Sequence, residues 1–177
     1  QWSRDAAAAA GINLQPFRQV LVVHNYGVDH GAAGNGIVIV EQDAALCEFG
    51  FISHEMGHGM GLPHSFAANP DWEYGDGWDV MSFATTTFQF PITFKSATGH
   101  ATVGLNARNL KALGALEPSR LWSPPQPDFS ATVVLDPLNQ QQIGNHGHLV
   151  AQIPPQASSP ARPDASTWTF ELRPKAG

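Results

Sequence analysis

Hydrophobic and polar positions along the chain change period several times, and each change predicts an element. Arg4 to Ala10 is alanine-rich, follows a capping Ser3 and stops at Gly11, which predicts a short helix. Phe17 to His24 (FRQVLVVH) is dense in Val and Leu and reads as a buried strand. Gly36 to Glu41 (GIVIVE) is short and β-branched and reads as a second strand, with the glycine-rich stretch 25–36 between them as loop. Ala44 to Gly61 places apolar residues at roughly helical spacing and ends in glycine, so a helix is expected. Its internal Gly50, Gly57 and Gly59 each cost about 1 kcal/mol against alanine. A helix that keeps them needs close packing there.

The second half is less regular. Residues 65–80 read as loop, and 82–100 carry no clean period. Leu105 to Leu116 has its leucines near one face and reads as a helix. The run SPPQPD, 123–128, is the clearest linker signal. Strand-like pieces follow at Phe129–Leu135, His148–Ile153 and Thr167–Leu172. The expected organisation is a main domain over 1–122, a linker over 123–128 and a small β-rich appendage over 129–177.

Composition narrows the function. The 177 residues hold enough apolar and aromatic side chains for a core. Nine Lys and Arg against fifteen Asp and Glu leave a net charge of −6, with no basic cluster, which argues against nucleic acid as a partner. Apolar runs such as Val20–Val23 are far shorter than the roughly 20 residues that span a bilayer. A single cysteine, Cys47, excludes an intrachain disulfide and a thiolate-rich zinc finger, and reads as a small buried apolar residue. The chain starts at Gln1 with no visible signal peptide, which reads as a processed or trimmed form.

The chemistry concentrates in residues 54–64, His-Glu-Met-Gly-His-Gly-Met-Gly-Leu-Pro-His, the pattern H-E-x-x-H-x-x-G-x-x-H. His54 and His58 are four apart, so they share a helix face and can reach one ion. Glu55 is rotated off that axis and can reach a water at the ion instead of the ion itself. Gly61 can turn left-handed and stop the helix, Pro63 forbids its continuation, and His64 arrives as a third ligand from outside. Three protein ligands leave one position open for water, the mark of a catalytic zinc site. A structural metal site remains the alternative, although it would leave Glu55 without a purpose.

This stretch resembles the zinc-binding consensus of the metzincin metallopeptidases. Downstream, Asp79-Val80-Met81-Ser82 lies at a plausible distance, and Met81 is the candidate for the methionine turn that those enzymes place beneath the metal. The text HSFAANPDWEYGDGWDVMS is most similar to the gametolysin-like and immune-inhibitor-A-like branches. The resemblance implies an α+β fold with a mixed sheet and an active-site helix, followed here by the β appendage. It implies a secreted zinc-dependent endopeptidase acting on polypeptide or protein substrates, with His54, His58 and His64 on Zn2+ and Glu55 as general base. In that picture GIVIVE is an edge strand along the cleft, with Ile37 and Ile39 against the substrate, or equally an interior strand. Segment 83–94, with Phe83 and Phe88, would line an apolar pocket, or those rings are core.

One departure matters. Some metzincin groups carry a tyrosine two residues after the methionine, and here that position is Phe83. Oxyanion stabilisation would then rest on zinc and backbone donors, with Tyr74, in the loop beside the motif, as a substitute. Asp71, Asp76 and Asp79 could form a calcium loop or, more simply, make turns, with Asp79 as the acceptor for a ligand histidine. Two rival functions remain: a non-catalytic module that grips protein or glycan, and a narrow peptidase for glycoproteins.

Overall fold

Alternation along one strand sets the layering of the first half. Val38 and Val40 are fully buried while Ile39 between them is 41% exposed, as expected where one sheet face is packed. The structure, a computed structural model, describes residues 2–25, 31–34, 36–42, 49–66, 73–82, 90–94, 97–101, 103–126, 128–138, 147–154 and 167–173. It is a mixed α+β chain that divides into two compact units, 1–105 and 106–177.

In the first unit, helix α1 (Trp2–Ala9) precedes strand β1 (Val20–His24), then come β2 (Gly31–Gly34) and β3 (Ile37–Glu41). The sheet order is β1-β3-β2. β3 is parallel to β1, with Val20 opposite Ile37, and antiparallel to β2, with Gly34 opposite Ile37. Two expectations are settled by this. The glycine-rich stretch 25–36 is not all loop, because Gly31–Gly34 pairs along β3. Gly and Ala have low strand propensity, so only the pairing, a non-local contact, could reveal this strand. Of the two readings of GIVIVE, the interior one holds: β3 is the middle strand, and β2 lies at the edge among the described residues.

Helix α2 (Phe49–Gly59) lies against the Val38 face, and its glycines explain how. A Cβ on Gly59 would lie 2.9 Å from the Val38 side chain and overlap the Gln19 amide. That amide donates to the Met56 carbonyl at 2.7 Å, tying the approach to β1 to the last turn of the helix. A Cβ on Gly57 would overlap the Met81 sulfur. Close approach at two of the three glycines is thus what offsets their weak helix propensity.

The helices end by one device. Gly11, Gly61 and Gly114 are left-handed, with φ of 70°, 93° and 71°. Around each, the N–H one residue beyond the glycine returns to the helix: Ile12 to the Ala7 carbonyl, Leu62 to Gly57 and Ala115 to Leu110. The glycine's own N–H bonds three residues back, completing the Schellman pattern. Further on, β4 (Phe90–Phe94) and β5 (Ala97–Ala101) pair as an antiparallel hairpin.

The second unit begins with α3 (Ala107–Ala112), capped by the Asn106 side chain, which accepts from the Asn109 N–H at 2.9 Å. The Glu171 carboxylate accepts the Ala107 N–H at 2.6 Å, placing negative charge at the helix start. A 3-10 turn, Pro118–Arg120, leads into β6 (Leu121–Trp122). β6 is parallel to β7 (Val150–Ile153), which is antiparallel to β8 (Trp168–Glu171). Ala107, Leu116, Leu149 and Val150 form the core, with Leu110, Leu121 and Leu138 against it. Arg120 and Asp136 form an ion pair at 2.8 Å beside that core.

Residues 106–122, expected with the main domain, therefore fold with the tail, because β6 takes its partner from β7. Phe129–Leu135 is not a strand; Leu135 makes one isolated bridge to His148. Among the described residues no helix is long and apolar enough to cross a membrane. Phe83, Phe88, Asp71, Tyr26 and Cys47 lie outside the described residues.

The contact between Gly57 and Met81 yields a stability prediction. Overpacking a core costs about 1–3 kcal/mol. Gly57→Ala is expected to lose more to Met81 than the roughly 1 kcal/mol it gains in helix propensity. Met81→Ala alone should cost about 2–5 kcal/mol as a cavity. In a denaturation cycle the double variant should cost at least about 0.5 kcal/mol less than the sum of the two. Additive costs would show that the two sites do not touch.

Candidate metal centre

The centre is built from one helix turn, the stop that ends it and a buried loop beneath. His54 and His58 stand one turn apart on α2. The left-handed Gly61 reverses the chain, and this does two things. It delivers His64, and it swings the Leu62 carbonyl back to accept from His58 Nδ1 at 2.8 Å. Beneath the helix, the Val80 carbonyl accepts from His54 Nδ1 at 2.8 Å. His64 Nδ1 faces the Glu73 carboxylate at 2.5 Å. Glu73 reaches it because Phe66 and Glu73 form an antiparallel bridge.

This bookkeeping of protons decides what the centre can do. A carbonyl or carboxylate oxygen only accepts, so each Nδ1 must carry its hydrogen. A neutral ring then keeps its lone pair on Nε2, where His64 accepts from the Tyr74 hydroxyl at 3.2 Å. His54 Nε2 and His58 Nε2 are 3.0 Å apart, and neither ring has a second proton to put between them unless it becomes a cation. His54 resists that: burial, above all, lowers its pKa, and the nearby His58 and His64 act the same way, while the bond to Val80 opposes them. Ligand atoms from His54, His58 and His64 all lie within 4.8 Å of one another. Three lone pairs facing one point are satisfied by a cation, so this group can hold a metal ion.

The loop beneath is pinned from both sides. Met81 is fully buried, with its thioether against Gly57 between the two helical ligands. The Asp79 carboxylate accepts from the Ser65 hydroxyl and from the Met81 N–H. Ser65 N–H donates to the Met81 carbonyl at 2.9 Å, and Val80 N–H to Gly104 at 3.0 Å. The Val80 carbonyl is thereby aimed at His54. Asp79 is buried and holds the turn, and the Glu73 carboxylate orients His64. Asp76 accepts the Trp78 N–H at 3.0 Å, a turn role.

Glu55 is buried at 7% exposure. Burial above all, then the Glu73 and Glu55 carboxylates, raises the pKa of the Tyr74 phenol. Ile37 and Ile39 are not brought to the centre, because strand alternation sends them to the face opposite Val38 and α2. Nothing in the spacing pointed to Glu73; only the bridge from Phe66 brings it alongside His64. Comparison with protein-family models, curated proteins and solved structures found no match.

Two outcomes test this geometry. Partners of this kind are worth about 10–100-fold in metal affinity. Glu73→Gln should weaken zinc binding by that factor in a chelator competition, and unchanged affinity would remove Glu73 from the centre. Acid is the second test. Because the folded state lowers the His54 pKa, the unfolded chain takes the proton more readily, and stability is lost as pH falls below about 6.5. The midpoint of thermal unfolding, measured in chelator, should drop between pH 7.5 and 5.5. His54→Asn should reduce that drop, and an identical slope would contradict the assignment.

Proposed function

We propose that the chain carries a zinc-dependent endopeptidase site, with His54, His58 and His64 as the ligands and Glu55 as the general base. The observation that carries this reading is the convergence of three Nε2 lone pairs whose Nδ1 atoms are already committed to Val80, Leu62 and Glu73. Neutral imidazole suits zinc among the first-row dications, and three protein ligands leave room for solvent. A zinc ion held there would polarise a carbonyl and make a bound water acidic near neutral pH.

The chain's own groups do the rest. Glu55, one residue past His54, takes a proton from the attacking water and delivers it to the leaving amine nitrogen. Low exposure of Glu55 and His54 keeps bulk water away from that transfer and strengthens the interactions inside. β2, at the sheet edge among the described residues, offers backbone groups to which an extended peptide can add as a further strand. A polypeptide substrate and a location outside the cell belong to the same reading.

General acid–base catalysis is worth about 100- to 10,000-fold. Glu55→Gln should keep its zinc and lose turnover by at least that range on a mixed peptide library that includes glycopeptides. Chelator should abolish wild-type cleavage, and added zinc should restore it. A wild-type chain that holds one zinc and cleaves nothing would leave a binding module in place of an enzyme.

A further inference from the structure

The first 94 residues carry only two Lys or Arg side chains, Arg4 and Arg18. Both line one cavity of about 430 Å³ in the first unit. That volume lies in the range of small-molecule pockets. No acidic residue lines it among the described residues, so the wall itself is cationic in a chain of net charge −6.

Local structure shapes the cavity. Arg4 and Ala8 stand one turn apart on α1, a helix with no buried residue, and both face it. The left-handed Gly11 turns the chain off that helix into residues 12–17. Two bonds hold this loop: the Asn13 side chain accepts from the Gln15 N–H at 3.0 Å, and the Leu14 carbonyl accepts from the Phe17 N–H at 3.1 Å. Where β1 begins, the wall is backbone. The Val20 N–H donates to the Gly36 carbonyl at 2.9 Å, and a Cβ on Gly36 would lie 3.3 Å from the Arg18 carbonyl. Ile12, Leu14 and Phe17 line the same cavity, and Ile12 and Phe17 are 54% and 61% exposed. Apolar side chains left in water beside two guanidiniums fit a ligand that is anionic at one end and apolar at the other.

We propose that this cavity binds an amphipathic monocarboxylate, its carboxylate on the Arg4 and Arg18 guanidiniums and its apolar part against Ile12, Leu14 and Phe17. A guanidinium presents its N–H groups in a fork that matches a carboxylate. Its five donors let each arginine serve the ligand while keeping the contacts it already makes. A small inorganic anion would leave the apolar wall in water, and an uncharged apolar molecule would gain nothing from the arginines. A fatty acid and the free C-terminus of a short peptide with an apolar last residue share the required chemistry. None of the lining residues belongs to the metal centre, so the site stands independently of the peptidase reading.

Titration calorimetry on the full chain tests this, with chelator present so that no carboxylate binds a metal. The probes are octanoate and acetyl-leucyl-phenylalanine. At least one is expected to bind with Kd below about 1 mM, and the tighter one identifies the source. Their uncharged amides should bind at least about tenfold more weakly, because hydrogen bonds to charged groups are worth that factor or more. The same loss is expected for either carboxylate with Arg4→Gln or Arg18→Gln. Both arginines are exposed, so these variants keep the fold, with thermal midpoints close to the wild type. Acetate should bind at least about tenfold more weakly than the better probe, since it lacks the apolar part. Acetate bound as tightly would reduce the cavity to a plain anion contact and overturn the proposal. Amides that bind equally, arginine variants that bind unchanged, or a Kd above about 1 mM for both probes would overturn it as well.

Discussion

Two imidazole nitrogens held 3.0 Å apart, each with its only proton pointing away, form the constraint around which the first unit is arranged. Such a pair is unfavourable without a cation, and the chain spends several buried groups on keeping it. The Val80 and Leu62 carbonyls orient the rings, and Asp79 and Ser65 hold the loop that carries Val80. Breaking any one of these would let a ring rotate and relieve the clash of lone pairs. Their joint presence in a buried region is hard to explain as stabilisation of the metal-free fold, because a buried polar group that only restrains others returns little net free energy. It is readily explained as preorganisation for an ion.

The glycines of α2 serve the same end. Helix propensity alone would favour alanine at Gly57 and Gly59. Yet a Cβ at Gly57 would meet Met81, and one at Gly59 would meet Val38 and Gln19. The helix backbone therefore rests directly on the sheet and on the methionine. A side chain between them would lift α2 and carry His54 away from the Val80 carbonyl. Met81 is an unbranched, polarisable filler suited to the gap left between ring and backbone. Packing density and ligand geometry are thus one requirement at this place.

How far the sequence could be read follows from how local each feature is. His54 and His58 were legible because their relation depends only on helix period, and Gly61 and Pro63 mark the helix stop within a few residues. The requirement for close packing at internal glycines was legible as a conflict with propensity, although the partners were not. Glu73 was not legible: it reaches His64 through a bridge to Phe66, and Asp79, closer to Met81 in the chain, looked the better acceptor. β2 was hidden because Gly and Ala carry turn signals, and its pairing with β3 is a matter of register. The proline run at 123–128 drew the boundary too late, since Leu121 and Trp122 belong to a parallel pair with β7 whose partner lies almost thirty residues further on.

Orientation of the three ligands differs in a way that burial explains. His54, almost fully buried, is held by a neutral carbonyl, and so is the partly buried His58, whereas His64, also partly buried, is held by a carboxylate that is itself half exposed. A carboxylate behind His54 would have to be desolvated, at a cost that a single hydrogen bond does not offset. At His64 that cost is small, and the charge makes the ring a stronger donor. Tyr74 stands on the Glu73 side of His64, its hydroxyl 3.2 Å from the His64 Nε2, so this ring is held at both nitrogens.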